Sequence, residues 1–285
     1  MLIIVGFVVV TASVVVGFTM AGGNLVLLIQ PSEFVTIGGA ALGSLLISSD
    51  MGLIKKMMGA IPAAITAKHY EKQDYLELLK SLNDLFLLAQ RDGVLAIEPH
   101  VEKPDESDIL SKNPKFLANT VALTFFCDTL KVMLSGGVPP HELENLIDNE
   151  IETFKVENEP VVANLTKVAD ALPGLGIVAA VLGIIVTMAS ISDGPEAVGH
   201  HVAAALVGTF LGVLLSYGFM NPLATNIEHH IHVKTRYLET IKTCLLAYAK
   251  GNPPIVAVEM ARRTIYSDYR PTFVELENFV RGKSE

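Results

Sequence analysis

The acidic and basic side chains near the apolar parts of this sequence define what chemistry it could carry out in a membrane. Glu33 and Asp50 flank one apolar stretch, and Asp170 stands three residues before Pro173. No Asp, Glu, Lys, Arg or His is central to any long apolar stretch of the chain. Ionisable groups inside a membrane usually mark ion pathways. The chain therefore either moves no ions or needs a partner that supplies the titrating group.

The third and fourth apolar stretches, residues 171–191 and 202–220, contain small and uncharged polar residues that could face such a partner. The spacing Gly208-x-x-x-Gly212 is typical of helices whose backbones approach closely in lipid. It fits packing within one helical hairpin, and an oligomer interface or a pore lining is the alternative. The polar side chains left to face a partner are Thr187, Thr209, Ser216 and Tyr217.

Two prolines stand at the same end of these two stretches. Pro173 and Pro222 each remove a helical hydrogen bond and can kink the helix that contains them. One explanation is that each proline simply marks the end of a helix, since proline is tolerated in membrane spans. A hinge that couples movement of the spans to the rest of the protein is the alternative.

Histidines and paired arginines give weaker signals. His229 and His232 have the i,i+3 spacing of a metal-binding pair, but no suitable third ligand is near in sequence, which favours a polar interfacial patch. The histidines at 200–201 could buffer protons. The arginines at 262–263 fit a solvated helix face, or a contact with acidic lipid or a partner. Because no nucleotide loop, catalytic triad or paired-carboxylate motif occurs, no enzyme is predicted.

The elements that must position these residues are membrane helices. The 285 residues are 51% hydrophobic and 18% charged, and a bilayer span needs about 20 apolar residues. We predict an all-α integral membrane protein with four transmembrane helices, a helical cytoplasmic domain between spans two and three, and a helical cytoplasmic tail. The net charge of −9 and the lack of a basic stripe argue against nucleic acid as a partner. The predicted spans are residues 2–20, 34–49, 171–191 and 202–220.

Basic residues orient the spans. All 21 Lys and Arg lie within 55–167 or 234–283, and such residues concentrate on the cytoplasmic side. We therefore expect both termini and the large loop in the cytoplasm. The predicted domains are a transmembrane hairpin at 1–54, a cytoplasmic helical domain at 55–167, a second hairpin at 168–222 and cytoplasmic helices at 223–285.

Two local patterns indicate helices outside the membrane. Apolar residues recur at helical spacing from Tyr75 to Ala89, and Gly93 is a plausible stop. Thr272 and Glu275 have the spacing of a capping box. The chain has two cysteines and no disulfide framework.

Longer motifs resemble the flagellar motor stator A subunit, the MotA/PomA family. LPGLGIVAAVLGIIV and ALVGTFLGVLLSYGFMNPLA resemble its third and fourth spans. QPSEFVTIGGAALGS, LENLIDNEIETF and GNPPIVAVEMARRTIYSDYRPTFVELE extend the resemblance over essentially the whole chain. The resemblance implies the proton-driven MotA type: a subunit in the bacterial inner membrane, in contact with lipid, with no cofactor and H⁺ as the transported ion.

The resemblance also implies partners. Family members form a homo-oligomeric ring, here expected to be a pentamer, around a dimer of a single-span MotB-type subunit. That subunit carries an aspartate, which takes up and releases the coupling ion and would supply the missing carboxylate. The ring then turns and acts on a rotor switch-complex protein through charge contacts. The alternatives are an ExbB/TolQ-like energising subunit of an outer-membrane transport system, and a purely structural scaffold.

Individual positions carry over from the family's motifs. Pro173 and Pro222 match a proline pair that couples ion flow to movement, and Thr209 matches a threonine that faces the ion path. Ala180 stands where sodium-driven members have threonine. Because a hydroxyl can ligate Na⁺ and a methyl group cannot, alanine favours protons. Tyr217 is added as a polar group of the fourth span that could face the partner.

Rotor contact is implied for three further residues. Glu98 in VLAIE matches the acidic position of the family. Gln90 stands where the family usually has its key arginine, and Arg91 follows directly. We expect the charge to have moved one position to Arg91, or another basic residue to serve instead.

Overall fold

A computed structural model describes residues 2–66 and 70–282 and, at Asp193, the backbone alone. Within these residues the chain is helical and contains no β-strand, which confirms the prediction of an all-α protein. The α-helices are α1 Leu2–Met20, α2 Pro31–Ser48, α3 Met51–Thr66, α4 Lys72–Asp92, α5 Glu98–Glu102, α6 Pro114–Leu117, α7 Thr120–Ser135, α8 Pro140–Ala189, α9 Pro195–Val213, α10 Asn221–Ala249, α11 Pro254–Arg262 and α12 Phe273–Val280.

The chain forms two compact units. Residues 2–66 and 158–230 make up the membrane unit, and residues 70–157 and 231–282 make up the polar unit. Four helical segments are long and apolar enough to cross a membrane, as predicted. They are Leu2–Met20, Leu25–Ser48, Pro140–Ala189 and Pro195–Ala249.

The membrane unit buries little of its apolar surface within one copy of the chain. Helix α1 is apolar along its whole length and has no buried residue. The third span likewise exposes a row of large aliphatic side chains, including Val181 and Ile185. Apolar helix faces of this kind are stable against lipid or neighbouring subunits. A small core holds α2, α8 and α9 together, formed by Ile37, Ala41, Leu172, Ala179, Val207 and Leu211.

Helix α2 starts after an apolar turn rather than after a polar loop. Residues Leu25–Leu28 form a short 3-10 helix, capped by the Asn24 side chain, which accepts a hydrogen bond from the N–H of Val26. This turn packs against α1 and α9. Irregular backbone at membrane depth is tolerated where protein shields it. The link between the first two spans therefore contains a short helix that packs along the fourth span.

The polar unit has a conventional globular core. Helix α4 begins with a capping box between Glu71 and Asp74, and it ends at Gly93, whose φ of 92° suits glycine. Its apolar face packs against α11 and α12. The predicted capping box between Thr272 and Glu275 opens α12 and is confirmed.

Aromatic and ionic contacts fix the helices of the polar unit to one another. Tyr70 stacks on Tyr237 with ring centroids 4.2 Å apart, and Phe86 stacks on Tyr248 at 4.0 Å. These pairs join α4 and the turn before it to the second half of α10. Asp74 is buried and pairs with Lys115 Nζ at 2.6 Å. The unit is therefore a rigid body that can present a surface to a partner.

Candidate functional site

Helices α8 and α9 meet along a seam of glycines, hereafter the glycine seam: Gly176, Gly183, Gly208 and Gly212. A methyl group placed on Gly212 would lie 2.5 Å from the carbonyl oxygen of Leu172. One placed on Gly176 would lie 2.8 Å from the carbonyl oxygen of Gly208. Real Cβ atoms do not approach backbone this closely, so only glycine fits. The small-residue pattern therefore serves packing within the hairpin, which was the first of its two interpretations.

Pro173 lies inside α8, which runs unbroken from Pro140 to Ala189. The proline has no N–H, so the buried carbonyl of Ala169 lacks its usual helical donor. The carbonyl oxygen of Leu172, the residue before the proline, lies against Gly212 in the glycine seam. A weakened turn of α8 is thus pressed directly against α9.

Pro222 is accommodated in a different way. The seven residues Leu214–Met220 form a π-helical segment between α9 and α10. The N–H of Asn221 donates to the carbonyl of Ser216, five residues back. This wider turn makes room for a proline ring without breaking the helix. Wide turns of this type are often found at functional sites.

One side-chain amide links the surroundings of the two prolines. Nδ2 of Asn221 lies 3.4 Å from Oδ1 of Asp170 and 3.4 Å from Oγ of Ser216. Asp170 is one helical turn before Pro173, and Asn221 directly precedes Pro222. Ser216 is fully buried within the π-helical segment. Movement of either proline turn therefore changes a contact made by the other.

The predicted ion-path residues lie along this hairpin. Ala180 and Thr209 are both half-buried beside the glycine seam, on α8 and α9. Tyr217 is 65% exposed on the π-helical segment, so it points away from the packed hairpin. Thr187 is buried and donates to the carbonyl of Gly183 at 2.8 Å, within its own helix. Their role in an ion path stays a prediction.

A carboxylate of this chain lies deeper than the sequence suggested. Glu33, in the first turn of α2, is 7% exposed, and its Oε2 has no hydrogen-bond partner among the described residues. A methyl group on Gly208 would lie 2.5 Å from that oxygen. The sequence placed Glu33 outside the apolar core of the second span. The backward fold of residues Leu25–Leu28, invisible to a hydropathy pattern, carries it inward.

The predicted charge contacts cluster at one end of α4. Gln90 and Arg91 are exposed in its last turn, and Glu98 is exposed at the start of α5. Between them the chain turns at Gly93, and a 3-10 helix over Val94–Ile97 packs back against α4. We call the surface formed by Gln90, Arg91, Val94, Leu95 and Glu98 the contact tip. It carries exposed apolar side chains at Val94 and Leu95 as well as charges.

Arg91 already has an internal partner. Its Nε and one terminal nitrogen donate to the two carboxylate oxygens of Asp92 at 2.9 and 2.7 Å. These hydrogen bonds lower the pKa of Asp92. Exposed pairs of this kind contribute little to stability and exchange partners readily. Arg91 can therefore turn toward an outside carboxylate, although Asp92 competes with it.

Several other candidate groups have structural partners. Arg262 donates to Glu259 and to the carbonyl of Pro271, and this bonding lowers the pKa of Glu259. It is thus committed to the fold rather than available to lipid. Burial raises the pKa of the Cys127 thiol to about 11, which makes it unreactive at neutral pH. In the described part of the chain, no three His, Cys, Asp or Glu side chains are grouped as metal ligands would be.

Two family models match the chain over most of its length. Residues 4–93 match the model described as Motility protein A N-terminal. Residues 117–240 match the MotA/TolQ/ExbB proton channel family. Motility protein A of Salmonella typhimurium is 42% identical over 283 residues, covering 99% of this chain and 96% of the relative. Chemotaxis protein LafT of Vibrio parahaemolyticus is 37% identical and covers 93% of each chain.

Solved structures give the same picture of the fold. The structure of C. jejuni MotAB has a TM-score of 0.80 at 18% identity, over 95% of this chain and 98% of that one. The flagellar MotAB stator complex of Bacillus subtilis has a TM-score of 0.72 at 22% identity, over 90% and 92%. The likeness extends over both the membrane unit and the polar unit.

Proposed function

The chain belongs to the MotA/TolQ/ExbB proton channel family, on its Motility protein A branch, and from this premise we propose how it generates torque. It acts as a stator subunit of the bacterial flagellar motor rather than as an enzyme, and ion flow past the hairpin of α8 and α9 drives rotation. The observation that carries this proposal is the contact of Asn221 with Asp170 and Ser216, which links the two proline turns. The family resemblance predicted from the motifs is confirmed.

A second protein must supply the acid that binds the ion. Helices α8 and α9 contribute no carboxylate of their own near the middle of their hairpin, whereas the solved relatives of this chain are MotAB complexes. We assign the missing group to the aspartate of a single-span MotB-type partner. A ring of five copies around two partner chains, as the resemblance implies, would also cover the apolar faces that one copy leaves exposed.

The proposed ion is H⁺. The family that matches residues 117–240 is a proton channel family. Ala180 places a methyl group beside the glycine seam, where a hydroxyl would be needed to ligate Na⁺. Thr209 is then the polar group of the fourth span nearest to the path, able to donate to or accept from a water molecule that carries the proton.

The protein lies in the bacterial inner membrane, as a member of this family with apolar spans. For its orientation we propose that the polar unit and both termini are cytoplasmic. The support is the distribution of Lys and Arg, none of which lies between spans one and two or between spans three and four. Anionic lipid headgroups are the proposed neighbours of the exposed Lys55, at the start of α3.

Transport by an ExbB/TolQ-like complex is less well supported. The N-terminal model that matches residues 4–93 belongs to motility proteins. A strain that lacks this gene and retains the gene of the partner should lose swimming and keep siderophore uptake, and swimming should return when this gene is supplied again. Normal swimming of the deletion strain, with no second stator present, would contradict the proposal.

We propose that the contact tip acts on the rotor switch-complex protein. Glu98, Arg91 and Gln90 are exposed there, and the rigid core of the polar unit supports them. The exposed Val94 and Leu95 add an apolar centre to this charged rim. An apolar centre with a polar rim is the usual anatomy of a protein interface.

Reversing the charge of Glu98 should disable the motor without unfolding the protein. Glu98→Lys places a like charge opposite a basic partner group, which costs several kcal/mol in an interface, so torque should fall at least about tenfold. Because Glu98 is exposed, the amount of protein in the membrane should stay unchanged. Torque is measured from the rotation of tethered cells.

Glu152→Lys is the matched control for this change. Glu152 is also an exposed glutamate of the polar unit, 12 residues into α8 and so about 18 Å along the helix from its start. Tethered cells that carry Glu152→Lys should rotate normally. Equal loss of torque in both variants would show that net charge matters rather than the contact tip.

A further inference from the structure

Glu33 is a buried carboxyl group with one unpartnered oxygen. It is 7% exposed, and no described residue donates a hydrogen bond to Oε2. A buried, ionised carboxylate without a partner is costly, whereas the neutral acid is far less so. The side chain is therefore suited to hold a proton at this position.

Three helices converge on this oxygen. A methyl group on Gly208 of α9 would lie 2.5 Å from Glu33 Oε2, 3.1 Å from Ala179 Cβ and 3.3 Å from the backbone nitrogen of Ala180. The carboxyl group of α2 thus points into the glycine seam, next to Ala180, the position proposed to favour H⁺. Because Gly208 has no side chain, Oε2 of Glu33 can occupy the space beside it.

The depth of the group matches the interior of the membrane. Gly208 lies 13 residues after Pro195, the first residue of α9, which is about 20 Å along the helix. Ala180 lies nine residues before Ala189, the last residue of α8, which is about 14 Å. The apolar core of a bilayer is about 30 Å thick. The Glu33 carboxyl group, which lies beside Gly208 and close to Ala180, is therefore well inside a core of that thickness.

We propose that Glu33 is a proton-carrying residue of the channel, beside the glycine seam. Starting from the neutral acid, the O–H bond of Glu33 breaks as its proton passes to the carboxylate of the partner's aspartate, and the Glu33 carboxylate so formed then takes up a proton that enters from the outside. No electrons are exchanged, and each transfer restores the starting state of Glu33. This inference rests on the proposed channel function. It adds an acid of this chain to a path otherwise served by the partner.

The test compares two substitutions in the complex of this chain with its MotB-type partner, in membrane vesicles. Glu33→Gln keeps the shape and removes the acidic proton, so proton flux per assembled complex should fall at least about tenfold. Glu33→Asp keeps the acid and should retain a larger flux than Glu33→Gln. A packing role predicts the reverse order, because glutamine preserves the volume. Glu196→Gln, an exposed acid in the first turn of α9, is the control and should conduct normally.

The outcomes separate this inference from the channel function itself. If the wild-type complex carries no proton flux, the channel function fails. If it conducts and the Glu33→Gln complex conducts equally, only the role of Glu33 is overturned. Failure of both variant complexes to assemble would make Glu33 a packing residue and would also overturn the inference. If only the Glu33→Asp complex assembles, a flux below about a tenth of the wild-type value contradicts it.

Discussion

Pro173→Ala is expected to abolish swimming while the protein still reaches the membrane and binds its partner. Alanine restores the N–H that the carbonyl of Ala169 lacks, and it removes a residue that disfavours a helix interior by about 3 kcal/mol. Helix α8 therefore becomes more regular and no less stable. The weakened turn against the glycine seam is lost, and with it the change of shape that we propose couples ion flow to the polar unit.

The same helix provides the control for this prediction. Pro160 also lies inside α8, 13 residues earlier, and is exposed. A strain with Pro160→Ala should swim normally, because Pro160 lies outside the turn of α8 that contacts the glycine seam. Swimming speed and the amount of membrane-bound protein are measured for both variants. Normal swimming of the Pro173→Ala strain would support a structural scaffold and contradict the hinge.

Gly212→Ala is expected to prevent assembly rather than to impair coupling. The added methyl group would lie 2.5 Å from the carbonyl oxygen of Leu172 and 2.9 Å from Cα of Gly176. Both are backbone atoms and cannot move aside as the end of a side chain can. Overpacking of this kind costs about 1–3 kcal/mol, and each step of about 1.4 kcal/mol is a tenfold change in an equilibrium. The yield of intact complex after detergent extraction should fall accordingly.

Gly218→Ala is the matched change in the same span. Its methyl group would meet only side-chain ends, Leu214 Cδ1 and Val10 Cγ1, both at 3.1 Å. These can shift by a few tenths of an ångström, so the yield should stay near that of the wild type. Equal yields for the Gly212→Ala and Gly218→Ala complexes would show that the backbones of α8 and α9 are not in close contact.

The four spans and the family could be predicted from the sequence because both depend on local patterns. Uncharged stretches of membrane length define the spans. The capping box at Thr272 and Glu275 is a spacing of three residues, so it too is visible in the sequence. The family follows from long motifs that include both prolines.

What the sequence could not predict depends on contacts between residues far apart in the chain. The position of Glu33 against Gly208 requires the 3-10 turn over Leu25–Leu28 to fold back, and apolarity alone does not distinguish this from a loop. The link between Asn221 and Asp170 depends on the π-helical segment before Pro222. The sequence shows that Asp92 directly follows Arg91, but the ion pair between them depends on the conformations of the two side chains.

The central claim is that this chain couples proton flow to rotation, and the dependence of swimming on each ion tests it most directly. A strain that carries this gene with its MotB-type partner gene, and no other stator, is observed while sodium is titrated and, separately, while a protonophore is added. We expect a speed that does not change with sodium and collapses with the protonophore. A speed that rises and falls with sodium and survives the protonophore would contradict it.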